Sequence, residues 1–448
     1  MITNDPHHFT KVSTPDLPAR ERGDKQQRQK FRWLQSLAAV LIVGALVSGF
    51  LLVFASYHTT HTGGHVQAKP TTSTPTSANL LIASYTQNDG YTMIDALQAD
   101  TGARVWTYTT RQKNASPQII LSNQVVYMAT NGLVEALHAQ TGKLIWQKDL
   151  HLGMVSGIAG GTSSITFDHG MLYLAFAQTS TGGDNLYAFN AQNGTLMWHH
   201  VIGVDQTFTA NNGIVYLEVS SNDVYTPGSV TALRGSDGHF LWSYTTDPIA
   251  MLVANNVLYV QSAHQQTPSD QGGNKQYKLL LALNATNGHL LWSVNVDNDG
   301  PSSLVFSNNL VILYRTITQP NAAEFCAYRS SNGSRAWCTS GKEGVWDANT
   351  SSYLVASGTL YVSFNTAPNA TIQSDPTTTT VEALNPQTGR AYWSKTVAAG
   401  ISYATLTELH GMLYLSQNRN IVALDTNDGH TLWQIRENGF LQILVAGV

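Results

Sequence analysis

Short apolar runs recur along this chain from Leu80 onward, each bounded by residues that favour turns. One series reads QVVYMAT, GMLYLAF, GIVYLEV, NVLYVQS, LVILYRT, GTLYVSF and GMLYLSQ, with Asn-Gly, His-Gly or Asn-Asn turns before most members. A second, shorter run precedes these, as in PQIILS, SSITFD, AMLVAN and SSLVFS. Runs of this length, rich in Val, Ile, Tyr and Phe between Gly and Asn, predict strands rather than helices. A hairpin follows each pair of runs, so the pattern predicts about four antiparallel strands per unit.

The hairpin carries a repeat. Ala is followed after six residues by Gly and after four more by Trp, eight times without a gap error. The alanines are Ala96, Ala136, Ala188, Ala232, Ala282, Ala327, Ala383 and Ala423. The glycines are Gly102, Gly142, Gly194, Gly238, Gly288, Gly333, Gly389 and Gly429. The tryptophans are Trp106, Trp146, Trp198, Trp242, Trp292, Trp337, Trp393 and Trp433. Only Trp33 and Trp346 fall outside the pattern. A tripeptide such as Asp100–Gly102 suits a three-residue hairpin loop whose glycine takes the left-handed conformation. Ala96 then faces Trp106 across the hairpin, small against large. Leu97 and Val105 are expected opposite one another on the other face, as are Leu137 and Ile145, Leu283 and Leu291, and Leu424 and Leu432.

Successive units run from 40 residues (Trp106 to Trp146) to 56 (Trp337 to Trp393), close to the ~40–50 residue period of propeller blades. Eight such sheets would close a ring. Leu80–Tyr85 reads as the second strand of its unit, so the first unit lacks an innermost strand. The C-terminal LQILVAGV has no partner in its own unit and is expected to supply that strand, joining the termini and removing an exposed edge. The fold expected is all-β: an eight-bladed β-propeller of four-stranded antiparallel blades over 80–448, preceded by a single N-terminal transmembrane helix.

That helix rests on Leu37–Phe54, which runs without a charge and with its flanks reaches the ~20 residues needed to cross a bilayer. Arg20, Arg22, Lys25, Arg28, Lys30 and Arg32 precede it, and no Lys or Arg follows until Lys69. The positive-inside bias assigns residues 1–32 to a cytoplasmic basic tail and 33–57 to a cell-membrane anchor, with the propeller extracytoplasmic. A cleaved signal peptide, with Val53 and Ala55 at the cleavage site, is the competing reading. Signal-peptide apolar cores are ~7–15 residues long, which favours the uncleaved anchor. Residues 58–79 lack apolar periodicity and read as a flexible linker. Three histidines there, His58, His61 and His65, have no supporting shell that would make a metal site.

Composition adds one exclusion. Charged residues are 12 % of the chain and the net charge is −4. Residues 1–56 hold seven Lys or Arg against four Asp or Glu, leaving 17 against 24 in the remainder. Phosphate binding needs a clustered positive surface, so a moderately acidic ectodomain argues against nucleic acid as a partner.

The unit A-L-x-x-x-T-G-x-x-x-W, as in ALHAQTGKLIW and ALNPQTGRAYW, resembles the pyrroloquinoline-quinone (PQQ) enzyme repeat over residues 80–448. The resemblance implies an eight-bladed propeller whose Ala/Trp pairs interlock neighbouring blades. That superfamily includes quinoprotein dehydrogenases, the non-catalytic assembly lipoprotein of the β-barrel assembly machinery, and extracellular propellers of membrane kinases. Fold alone does not choose among these. No lipobox cysteine precedes the repeats; an apolar span stands there instead.

Candidate chemistry is sparse. The quinone enzymes hold PQQ under a disulfide of adjacent cysteines, with Ca²⁺ bound by Glu and Asn and an Asp as base. Here Cys326 and Cys338 instead flank Ala327 and Trp337, facing one another across two strands of blade six, which suits a structural disulfide. The run Asn295, Asp297, Asp299, Gly300 begins like a calcium loop but lacks the closing acid. No G-x-S-x-G, H-E-x-x-H, P-loop or dinucleotide fingerprint occurs. No catalytic residue, metal or cofactor is therefore expected, and PQQ and calcium are unsupported by motifs. Trp346 and Asp347, with Asp205, Asp247, Asp299 and Tyr403, precede innermost strands and are candidates for a ligand funnel. The expected function is a monomeric, single-pass propeller that binds protein partners or a surface ligand. The alternative is a membrane-bound PQQ-dependent dehydrogenase of alcohols or sugars.

Overall fold

Each Ala–Gly–Trp segment forms a hairpin, and each hairpin is the outer half of a four-stranded antiparallel sheet. The computed structural model describes residues 79–446 except 88, 114–116, 131, 152–161, 177–183, 203–206, 220–227, 264–277, 297–301, 318–321, 340–351, 367–377, 398–403 and 438. The basic tail, the apolar segment and the linker up to Ala78 lie outside the described residues. The chain divides into Met1–Lys69 and Pro70–Val448, and all the described residues belong to the second unit. Among them no helix is long and apolar enough to cross a membrane.

Eight sheets are present. Blade 1 combines Leu80–Thr86, Tyr91–Gln98 and Arg104–Lys113 with the C-terminal Phe440–Ala446, which pairs antiparallel to Leu80–Thr86. The other blades are contiguous in sequence. Blade 2 runs from Gln118–Ser122 to Leu144–Asp149, blade 3 from Thr162–Asp168 to Leu196–Ile202, and blade 4 from Phe208–Asn211 to Phe240–Thr245. Blade 5 runs from Asp247–Ala254 to Leu290–Val296, blade 6 from Ser302–Ser307 to Arg335–Cys338, blade 7 from Ser352–Ala356 to Ala391–Val397, and blade 8 from Ala404–Leu409 to Thr431–Arg436. First strands of neighbouring blades touch in an unbroken circuit that includes the steps from blade 8 to blade 1 and from blade 1 to blade 2. The eight sheets therefore surround one axis, with first strands innermost and fourth strands on the rim.

Burial follows that radial order. Second strands such as Met171–Phe176 and Leu80–Thr86 are almost wholly buried, whereas fourth strands such as Leu144–Asp149 are mostly exposed. The core is divided among the blade junctions. Leu186 and Ala188 of blade 3 pack with Val215 and Leu217 of blade 4, and Tyr259 and Leu280 of blade 5 pack with Val311 and Leu313 of blade 6. Each sheet buries both faces against its neighbours, which is why no second layer is needed.

The hairpin register departs from simple alternation in one respect. Ala96 pairs with Trp106, but Leu97 pairs with Arg104, not Val105. Likewise Leu137 pairs with Leu144, Leu283 with Leu290 and Leu424 with Thr431. The residue before each Trp is the extra one of a β-bulge, present in all eight blades. A bulge twists the strand locally and interrupts its free edge, so every rim strand is blunted against pairing with another chain.

Candidate functional site

The tryptophans act between blades. Trp106 Nε1 donates to the Ala139 carbonyl of blade 2 at 2.7 Å, and Trp292 Nε1 to the Ser330 carbonyl of blade 6 at 2.8 Å. All eight indoles repeat this contact, and Trp433 closes the circle on the Ala99 carbonyl at 2.9 Å. The same indole lies over the glycine of the next blade's turn. A Cβ on Gly194 or Gly288 would come within 2.5 Å of Trp146 or Trp242, so these glycines are needed for the close approach as well as for their φ of 70° and 72°. In blades 2, 3, 4, 5, 7 and 8 a second-strand tyrosine also packs on its own blade's Trp, as Tyr216 does on Trp242 with ring centroids 5.9 Å apart. Tyr216 Oη donates to the Ala285 carbonyl, and burial pushes its hydroxyl up to about 12.

The two ends of the ring differ. First-to-second and third-to-fourth connections all fall at one end, as antiparallel pairing requires. There the first connections are two-residue turns such as Asn212–Gly213 and Asn308–Asn309, both residues at positive φ, the twist that matches paired strands. Second-to-third and blade-to-blade connections fall at the other end, and the shortest is Thr246 alone, between blades 4 and 5. We call these the turn end and the connecting end. Trp346, Asp347, Asp205, Asp299 and Tyr403 lie outside the described residues. Asp247 is described. It opens the first strand of blade 5, and its Oδ1 accepts from the Gly228 backbone N–H at 2.7 Å, so it fixes the start of a neighbouring strand.

A belt of polar residues stands within the first three positions of the first strands at the connecting end. Gln118, Ser164, Ser303, Ser352 and Thr405 occupy the same register in blades 2, 3, 6, 7 and 8, each partly exposed. Thr207 holds the matching position in blade 4 and donates to Glu218 Oε2 at 2.5 Å. Burial raises the Glu218 carboxyl above the usual range, against that hydrogen bond. The Ser352 carbonyl accepts from Ser363 Oγ at 3.4 Å, and the Thr405 and Ser416 hydroxyls hydrogen-bond one another. The belt therefore offers hydroxyl and amide groups with one protonatable acid, chemistry suited to hydrogen bonding a backbone or polar chain. Sequence reasoning passed over these residues; their shared offset before the turns that link first and second strands was the available signal.

Charged groups are also buried elsewhere. At the junction of blades 8 and 1, Arg104 Nε meets Asp95 Oδ2 and its Nη2 meets Glu437 Oε2, both at 2.7 Å. Tyr85 and Thr107 donate to the same Asp95. Burial raises the Glu437 carboxyl, partly offset by Arg104. This cluster ties the C-terminal closure and holds no open position. Cys326 and Cys338 are directly paired across the third and fourth strands of blade 6 and joined as a disulfide, with Cα atoms 4.1 Å apart. They lie toward the rim, on the outer two strands of their blade.

A family model described as the outer membrane protein assembly factor BamB matches four overlapping stretches, 91–250, 188–367, 249–400 and 346–446. The chain belongs to the PQQ-like repeat family. Within this PQQ-like family, it is 23 % identical over 346 residues to tetrathionate hydrolase of Acidithiobacillus ferrooxidans, covering 69 % of this chain and 64 % of that protein. It is 26 % identical over 207 residues to BamB of Moranella endobia, covering 44 % and 48 %. The chain thus spans less than two thirds of the length of either relative. Among solved structures, apo AztD of Citrobacter koseri superposes with a TM-score of 0.55 at 9 % identity, covering 82 % of this chain and 99 % of AztD. At that identity the likeness is one of fold.

Proposed function

We propose that this PQQ-like propeller is a membrane-anchored, extracytoplasmic scaffold that binds a polypeptide partner at its connecting end, in envelope assembly or surface sensing. The polar belt on the innermost strands carries this reading. It sets hydroxyl and amide residues of six blades at one register near the connecting end, and a rigid ring holds them in fixed positions at little entropic cost to binding. The BamB relatives, named as assembly factors, support a role in protein handling. Anchoring rests on the uncharged run Leu37–Phe54 and the basic residues before it, which favour insertion with the propeller outside.

The test uses the full chain in its native membrane, with a photo-crosslinking residue at Gln118, Ser303 or Thr405 and controls at the turn-end residues Asn212 and Asn308. Polypeptide adducts confined to the connecting-end positions are expected. Adducts from neither set, together with dye-linked alcohol or sugar oxidation when PQQ and Ca²⁺ are added, would replace the scaffold with the dehydrogenase reading.

A further inference from the structure

The rim of the ring is not uniform. In blades 2 to 5 the two residues before the docking Trp are both apolar, beginning with Leu144, Leu196, Phe240 and Leu290. At the first of these positions blades 6, 7, 8 and 1 carry Arg335, Ala391, Thr431 and Arg104. All of these apolar side chains but Leu241 are exposed: Phe240 is 63 % exposed, Leu291 52 % and Met197 50 %. On the other arc Tyr392 and Leu432 are exposed singly. Four consecutive blades therefore present one apolar arc, where isolated apolar residues alone would need no explanation.

Two observations indicate what covers it. The pairs follow the third-to-fourth turns, so the arc lies at the turn end. Asn79 enters the ring at that same end, where its carbonyl accepts from the Ala99 N–H at 2.9 Å. Exposed Lys143, His239 and His289 immediately precede apolar pairs of the arc, and its Asp237 is bridged by Arg234 at 2.9 Å and lies 3.5 Å from His239. The turns of blades 8 and 1 carry Asp425, Asp428 and Asp100, with His430 at the position of His239 and His289, and Arg390 precedes the pair of blade 7, so charge does not separate the two arcs. Finally, the bulge before each Trp breaks the free edge beside the apolar pair, which opposes pairing with an added strand. A second copy would meet this convex rim along a line, whereas a bilayer deforms around it.

We propose that the turn-end rim of blades 2 to 5 rests on the lipid surface in which the chain is anchored. The proposal rests on the membrane-anchored reading of the proposed function. The expected linker, residues 58–79, reaches at most on the order of 75 Å, so the tether permits many orientations and the rim selects one. Apolar side chains enter the acyl boundary while Lys143 meets headgroup phosphates. The polar connecting end then faces away from the membrane, toward its partner.

The test is made on the full chain in phosphatidylglycerol-containing nanodiscs. Because Cys326 and Cys338 are bonded to each other, Phe240→Cys introduces a single thiol for an environment-sensitive fluorophore. Thr431→Cys is the control at the same register in blade 8, and Leu291→Cys repeats the test should the first variant misfold. Lipid-borne nitroxide is expected to quench the label at 240 or 291 about threefold and to leave 431 unchanged. Equal quenching at both arcs, or none at 240 and 291 in chains held by the discs, overturns the proposal while the anchor stands. Shielding of 240 from a water-soluble quencher without lipid quenching assigns the arc to a protein and also overturns it. If the chain is not held by the discs at all, the anchored reading falls, and this proposal with it.

Discussion

The turn end and the connecting end are made by the same strands, yet their residues obey different rules. At the turn end every blade repeats one solution: a left-handed glycine under the preceding blade's indole, and an indole N–H on the next carbonyl. At the connecting end lengths and side chains vary from blade to blade, and what persists is a polar residue opening most first strands. The turn end holds the ring together, so its positions tolerate little. The connecting end inherits a rigid support and is free to vary, which is where binding surfaces arise on such folds.

The contrast can be broken most sharply at glycines. Gly288→Ala sets a Cβ 2.5 Å from Trp242 at a φ of 72°. It should destabilise the ring by about 3 kcal/mol, combining left-handed strain with overpacking. Gly213→Ala has a similar φ of 74° but open space around its Cβ, and should cost only about 1 kcal/mol. Denaturant midpoints of the two variants compare them; equal losses would mean that the indole contact contributes nothing.

A smaller effect is expected at the connecting end. Glu218 is buried and its carboxyl is raised above the ordinary value of 4.5 by that burial. The folded state thus binds the proton more tightly than the unfolded chain. The associated stability is fully present below about pH 4.5 and is lost as pH rises through the folded pKa. Glu218→Gln keeps an oxygen for Thr207 and removes the buried charge, so it should gain roughly 1 kcal/mol at pH 7. The gain should vanish near pH 4.5, as thermal melts at the two pH values would register. Smallest of all, Thr405→Val should shift the melt by less than about 1 kcal/mol while weakening crosslinking at the connecting end. A large loss of stability there would make the belt part of the core.

The fold was legible because its key contacts are local. Six residues from Ala to Gly and four more to Trp set a hairpin whatever lies around it, and the orphan strands at the two ends of the repeat array could satisfy only each other. The bulge was not legible, since the extra residues Val105 and Ile145 are as apolar as Leu97 and Leu137, which simple alternation would set opposite them. The belt of Gln118, Ser164, Ser303, Ser352 and Thr405 was obscured for another reason. These residues are spread over most of the chain, and serine or threonine before a strand is ordinary turn chemistry. Of the six funnel candidates, Asp247 turned out to hold the Gly228 N–H.

Sequence alone determined the number of blades, the composition of each hairpin and the strand that closes the ring, because hydrophobic period and turn chemistry act over a few residues. Tertiary structure decided which residues share an end and which share an arc. Placing Leu144, Phe240 and Leu290 side by side, or Gln118 beside Ser164, depends on the angle through which each blade is rotated from the last. That angle is set by the packing of indole on glycine and carbonyl across the junction, a long-range contact that no local spacing encodes.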